Sequence, residues 1–270
     1  MSGPTDSIRV CTANVRYDTS DDEFDWSDRR PRIVDAVADV DPDLLGLQEP
    51  LAHQYDQLRG SLSGSDADET ALEFHGVGRR DGARDGEFVP VAWNPTRFDC
   101  LETGVFWLSE TPERPSVGWD ADLPRVATWA VLRERSSGTG VWFCNVHLDH
   151  RGERARLEAA RLLRRRATAR LDSDACDAAV LTGDCNAPPG SPPHRELTTG
   201  PLTDARREAA AVIGPAGTFH GFDGSPGERI DYVFVSSALD VERYRTLEPA
   251  SPPRSDHLPV VVDLSSRGPT

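Results

Sequence analysis

Short apolar runs separated by turn-forming residues recur along the whole chain. Ile8–Asn14, Leu44–Gln48, Phe88–Trp93, Ala127–Leu132, Val141–His147, Ala178–Thr182, Ile230–Val235 and Leu258–Leu264 have the length and β-branched content of strands. Two stretches carry helical periodicity instead. One starts near Ser27, holds Pro31 in its early turns and repeats Ile33, Val34, Val37 and Val40. The other runs from about Gly152 to Leu171. It sets Ala155, Leu157, Ala160, Leu163, Ala167 and Leu171 on one face, and Arg164, Arg165 and Arg166 on a solvated one. Loops are expected at Gly60–Thr70, Arg79–Gly86, Ser109–Leu123, Pro188–His194 and Gly214–Gly227. No repeat or linker interrupts the pattern, so residues 1–270 read as one domain with its core at about 8–264. Many strands and few helices, without regular alternation, predict a mixed-sheet sandwich with helices outside.

Charge and cysteine usage narrow the setting. Forty-five acidic and 30 basic residues give a net charge of −15, and every basic residue is Arg. Such a surface repels polyanions at long range. A Lys-free acidic surface also suits a salt-rich cytoplasm, where screening weakens that repulsion, so a halophilic origin is expected. No run approaches the ~18 apolar residues of a membrane span, and Met1–Ser7 lacks a signal-peptide layout. The five cysteines are odd in number and lack C-x-x-C spacing, which points away from disulfides or structural zinc and toward a reducing interior. A cytoplasmic monomer with no membrane partner is expected.

Chemistry-bearing residues cluster at the predicted strand ends, where a rigid scaffold holds side chains beside loops. Asn14 ends the first strand, and Glu49 follows the second in Leu47-Gln48-Glu49-Pro50. Gly183-Asp184-Cys185-Asn186 opens a buried strand into two short polar groups. His147 ends an aromatic and β-branched strand, Asp231 sits within Arg229-Ile230-Asp231-Tyr232, and Ser255-Asp256-His257 precedes the last strand. A buried Asp needs a partner, and Asp231 is a plausible orienting carboxylate for a histidine.

Taken together and in this order, the set resembles the endonuclease/exonuclease/phosphatase superfamily, whose members are DNase I-like. The resemblance runs from Ile8 to Leu264. It implies an α/β (α+β) four-layer αββα sandwich and a divalent-metal phosphoesterase that uses water directly. By motif, Glu49 is the metal ligand with Asn14 beside it, and Asp256 lies close to the metal. Asp184 orients or deprotonates the attacking water, Asn186 holds a phosphoryl oxygen, and His257, oriented by Asp231, contacts the phosphate. His147 is the second histidine, and Glu87 in Gly86-Glu87-Phe88 is the acid that pairs with it. Mg²⁺, with Mn²⁺ as substitute, is the implied cofactor. Cys185 replaces the usual Phe between Asp184 and Asn186 and is expected to point away from the site; Arg16 near Asn14 argues against a second metal.

Three further segments resemble a prokaryotic branch related to deadenylase-type exonucleases: Phe106–Pro112, Pro124–Trp129 and Thr218–Phe222. From them Arg125 and His220 join Asn14 and Asn186 as expected substrate contacts; Phe219 and Phe222 are candidates, with His220, for stacking on a base or sugar, core packing being the other reading of the two Phe residues. The expected substrate is a phosphoester, with a nuclease or 3′-5′ exonuclease as the first reading. A phosphatase for small phosphoesters such as inositol phosphates or lipid head groups is the second. A catalytically inactive phosphate-binding module is the third, disfavoured because no member of the polar set is missing.

Overall fold

The computed structural model describes residues 7–64, 71–173 and 175–267. The Met1–Ser7 reading (apart from Ser7) and residues 65–70 of the expected Gly60–Thr70 loop lie outside that range. In chain order the elements are β1 Ile8–Asn14, α1 Trp26–Val40, β2 Leu44–Gln48, α2 Ala52–Leu62, β3 Glu73–His75, β4 Val91–Trp93 and β5 Phe98–Trp107. There follow β6 Val126–Glu134, β7 Gly140–His147, α3 Glu153–Leu171, β8 Ala178–Asp184, α4 Pro192–Leu197, β9 Leu202–Asp204 and α5 Ala205–Glu208. The chain ends with β10 Ala211–Ile213, β11 Asp231–Ser236, β12 Leu239–Thr246 and β13 Val260–Ser266.

Two mixed sheets face each other, in the orders β10-β12-β13-β1-β2-β4-β3 and β5-β6-β7-β8-β11-β9. Alternation along each strand sorts side chains into layers. Val10, Val141, Phe143, Val180, Val260 and Val262 fill the space between the sheets. Their neighbours Cys11, Leu45 and Val261 face α1 and α2, while Trp142, Cys144 and Leu181 face α3. The four-layer sandwich is therefore a direct product of period-two strands carrying apolar residues on both sides. No helix among the described residues is long and apolar enough to cross a membrane.

Near the site end, a polar layer replaces the apolar packing between the sheets. Gln48 Nε2 donates to Thr12 Oγ1 (2.9 Å) and Asn145 Oδ1 (2.7 Å), and Asn145 Nδ2 donates to the Leu47 and Pro90 carbonyls (2.7 and 2.8 Å). Gly46 lets the sheets close here, because a Cβ would lie 2.4 Å from Thr182 Oγ1. These bonds fix one sheet's strand ends against the other's.

Most predicted elements are present with shifted ends. The strand expected at Phe88–Trp93 is reduced to β4, since Pro90 offers no N–H to a ladder. α4 takes over the end of the loop expected at Pro188–His194, with proline in its first turn. Arg165 and Arg166 are solvated as expected, whereas Arg164 pairs with Glu196 (2.8 Å). β5, β12 and α2 were not anticipated. β5 is an edge strand whose residues 99–103 are all exposed, so it carries no alternation to read.

Candidate active site

β1 and β2 run parallel with Asn14 opposite Gln48, so Asn14 and Glu49 emerge side by side. At Glu49 the backbone turns left-handed (φ 74°), a costly conformation for a non-glycine residue. The turn aims its carboxylate at Asn14 Nδ2 (2.8 Å) and at the Tyr17 amide (3.0 Å). On the other sheet, β7, β8 and β11 set His147, Asp184 and Asp231 in one row. Gly183 (φ 150°) must precede Asp184, because a Cβ there would lie 2.1 Å from the Val146 carbonyl. The Asn186 amide N–H holds Asp184 Oδ1 (2.8 Å), and Cys185 turns away into the outer core as expected. Asp184 Oδ2 then faces Asn14 Nδ2 (3.1 Å), His147 Nε2 (3.6 Å) and His257 Nε2 (3.7 Å).

The loop before β13 completes this floor. Ser255 Oγ donates to the Asn14 carbonyl (2.7 Å), tying the loop to the end of β1. His257 Nδ1 meets Asp231 Oδ2 at 2.8 Å, and Asp256 Oδ2 lies 3.9 Å from Arg16 Nη1. Glu87 accepts from Arg79 Nη1 (2.6 Å) and stands 3.8 Å from His147 Nδ1. Arg125 is held by Asp149 (3.3 Å) and His150 (2.9 Å). The cleft these residues line has a volume of about 820 Å³. Glu49, Glu87, Arg125, His147, Asp184, Asn186, Asp256 and His257 all face it; Asn14 and Asp231 stand behind Glu49 and His257.

Two expectations change. His220 does not line the cleft: it is buried, and its backbone N–H bonds the Asp256 carbonyl (2.9 Å). An isolated bridge pairs Phe219 with His257, and in extended backbone successive side chains point to opposite sides. Phe219 is thus the residue that lines the cleft, its ring 4.9 Å from that of His257. Asn186 spends its amide nitrogen internally, on His147 Nε2 (3.0 Å) and the Leu148 carbonyl (3.0 Å), leaving only its oxygen to act as an acceptor. Arg79 was missed. The Gly78–Phe88 bridge folds the predicted Arg79–Gly86 loop back and brings Arg79 beside Glu87; an Arg and a Glu closing a glycine-bounded loop were the available signal.

The electrostatics divide the site. Burial lowers the pKa of His257, but the Asp231 charge and hydrogen bond outweigh it and raise the value to about 10. Burial and the cations Arg125 and Arg79 push His147 well below 6.5. The Leu148 carbonyl accepts only, so the amide atom beside it is nitrogen, and that nitrogen donates to His147 Nε2. Neutral His147 therefore carries its proton on Nδ1, facing Glu87. Burial and the nearby Asp231 charge raise Asp184 to about 7. Burial, with Glu49 adding, raises Glu87 to about 7, and burial also raises Asp256. Glu49, His147 and Asp184 bring candidate ligand atoms within 4.8 Å of one another. Crowded buried carboxylates with hard oxygen donors are the surroundings a divalent cation relieves.

Several known proteins are similar to this chain in sequence or fold. Among solved structures, an endonuclease/exonuclease/phosphatase family protein from Bacteroides thetaiotaomicron is 34% identical, with a TM-score of 0.88 over 96% of this chain and 94% of that one. A mannosyl-6-phosphatase from the same species is 34% identical, with a TM-score of 0.87 over 96% of this chain and 99% of that one. An uncharacterized protein of Acanthamoeba polyphaga mimivirus is 26% identical over 131 residues, so the match spans 47% of this chain and 47% of that protein. The model of the Endonuclease/Exonuclease/phosphatase family matches residues 11–257. With that match running from β1 to His257, the chain belongs to the endonuclease/exonuclease/phosphatase family, a family of phosphoesterases.

Proposed function

We propose that the chain hydrolyses a small, polar phosphoester, such as a sugar or inositol phosphate, by direct attack of water. The observation that carries this reading is the placing of charge. Arg79 and Arg125 are inside the cleft, each 4% exposed, while Asp18, Asp85 and Asp122 stand along its sides. The exposed cation Arg80 is offset by Asp85 (3.7 Å). A polynucleotide needs cations tracking several phosphates; this cleft concentrates them for one. The 34% identical mannosyl-6-phosphatase supports the same substrate class.

In this reading Asp184 Oδ2 accepts the proton of the attacking water, a task suited to a group titrating near neutrality. Protonated His257, fixed by Asp231, donates to a phosphoryl oxygen where negative charge develops. Asn186 holds His147 in one tautomer through its amide nitrogen. Glu49, with Asn14 beside it and Asp256 close by, would hold Mg²⁺ or Mn²⁺. Such a cation supplies Lewis-acid neutralisation of phosphoryl charge when bound. The acid-rich, Lys-free composition supports salt-rich surroundings, which a melting temperature rising with KCl would bear out.

A nuclease or 3′-5′ exonuclease is the second reading. Phe219 favours it: 39% exposed at the cleft, it offers a ring face on which a base can stack. The test is a panel of sugar phosphates, inositol phosphates, single- and double-stranded DNA and RNA, with Mg²⁺, Mn²⁺ or EDTA. The proposal expects metal-dependent phosphate release from a small phosphoester, faster than from any oligonucleotide. Faster cleavage of an oligonucleotide would establish the second reading instead.

A further inference from the structure

Resting on the phosphoesterase reading of the cleft, we propose that Arg79 and Arg125 form a clamp that selects phosphomonoesters over phosphodiesters. Both residues line the cleft, and both side chains are held by partners. Arg79 is fixed by Glu87 (2.6 Å) and by Trp107 Nε1 donating to its carbonyl (2.7 Å). Arg125 is fixed by Asp149 and His150, and its carbonyl accepts the Leu108 amide (2.8 Å). These partners do not use up the donors. Arg79 Nε and Arg125 Nη1 are buried without an acceptor. Buried donors left unmatched cost free energy, and two guanidiniums placed within reach of each other's field cost more. Both lower the pKa of His147, whose Nε2 lies 3.6 Å from Asp184.

Neither Arg79 Nε nor Arg125 Nη1 is open to solvent, so what the pair offers a ligand in the cleft is its charge, and the match for that charge is an anionic oxygen. A phosphomonoester carries three non-bridging oxygens and close to two charges at neutral pH, its second pKa lying near ~6. A diester carries two such oxygens and one charge, because the third oxygen bears carbon. Two preorganised guanidiniums therefore favour the monoester, with its extra charge and extra anionic oxygen, over the neutral, bulky ester oxygen of a diester.

The test compares p-nitrophenyl phosphate with bis(p-nitrophenyl) phosphate, in Mg²⁺, for the wild type and for Arg79→Gln, Arg125→Gln, Arg79→Lys and Arg125→Lys. Binding of inorganic phosphate is followed in parallel by calorimetry. The wild type should prefer the monoester in kcat/KM. Each Gln variant should lower the monoester-to-diester ratio about 10- to 100-fold and weaken phosphate binding by a similar factor, the worth of one hydrogen bond to a charged group. The Lys variants should recover phosphate binding in part, since the charge returns without the planar fork; they carry the test if a Gln variant fails to fold. A ratio unchanged within about threefold, with phosphate affinity intact, overturns the clamp and leaves the phosphoesterase reading standing. Failure of the wild type to hydrolyse either ester or any member of the substrate panel overturns that reading itself.

Discussion

His147 and His257 lie 3.6 and 3.7 Å from the same oxygen of Asp184, yet their surroundings hold them in opposite charge states. The difference comes from what stands behind each ring. Behind His257 is Asp231, buried and 2.8 Å away, and it keeps the imidazolium charged up to about pH 10. Around His147 are burial, Arg125 and Arg79, while its carboxylate neighbour Glu87 is 3.8 Å away and already bound to Arg79. One ring is thus a fixed cation and the other a neutral, tautomer-locked group. Two identical side chains, one at the end of β7 and one in the loop before β13, acquire opposite charge states from their second neighbours.

The largest effect should come from the carboxylate both histidines share. Asp184→Asn removes the proposed proton acceptor and should lower kcat by about 10³-fold or more, with a much smaller change in KM. Combining it with His257→Ala should cost far less than the product of the two single losses, because both serve one event. Next comes Asp231→Asn, which keeps the shape but removes the charge behind His257. Turnover should fall about 10²-fold, and the His257 pKa should drop toward the ordinary imidazole range. A raised histidine pKa contributes stability that is complete below its unfolded value, ~6.5, and fades as pH climbs toward about 10. In Asp231→Asn that contribution should shrink, so stability should fall less steeply between about pH 6.5 and 10 than in the wild type, as melting curves over that range would show.

On the other side, Glu87→Gln should have a milder effect, about tenfold on kcat, because Arg79 and Arg125 continue to keep His147 neutral. A loss as large as that of Asp231→Asn would mean that the two histidines are not the unlike pair described.

A third pair, His194 and Asp204 (3.0 Å), sharpens the contrast away from the cleft. Asp204 also binds Arg229 and caps α5. Burial opposes its ionisation, but these hydrogen bonds and the Arg229 charge hold the carboxyl well below its ordinary range. Its contribution is present above the unfolded value, ~3.9, and disappears as pH falls through the folded one. Asp204→Asn should destabilise the fold by about 3–5 kcal/mol, the usual cost of stranding a buried partner. Activity per folded molecule should change least of all.

Much of this site is legible in the sequence because parallel and antiparallel neighbours bring strand ends together. Asn14, Glu49, His147, Asp184 and Asp231 each close or open an apolar run, and the registers place them in contact. What escapes reading lacks periodicity or depends on a fold-back. β5 is an exposed edge stabilised by pairing with β6, and β12 alternates until a bulge between Val241 and Arg243 breaks its period. Arg79 joins the site only through the loop that returns it to Glu87. Of the neighbours Phe219 and His220 only Phe219 faces the cleft, because one residue of strand register decides which side chain does.

The most direct test of the unlike pair is a ¹⁵N-histidine NMR titration of the metal-free protein, with His147→Gln and His257→Gln used for assignment. The account predicts that His257 stays doubly protonated through pH 8 and loses its proton only near pH 10. His147 should remain neutral, with its proton on Nδ1, to well below pH 6.5. Equal titration of the two rings, or a charged His147 at neutral pH, would contradict it.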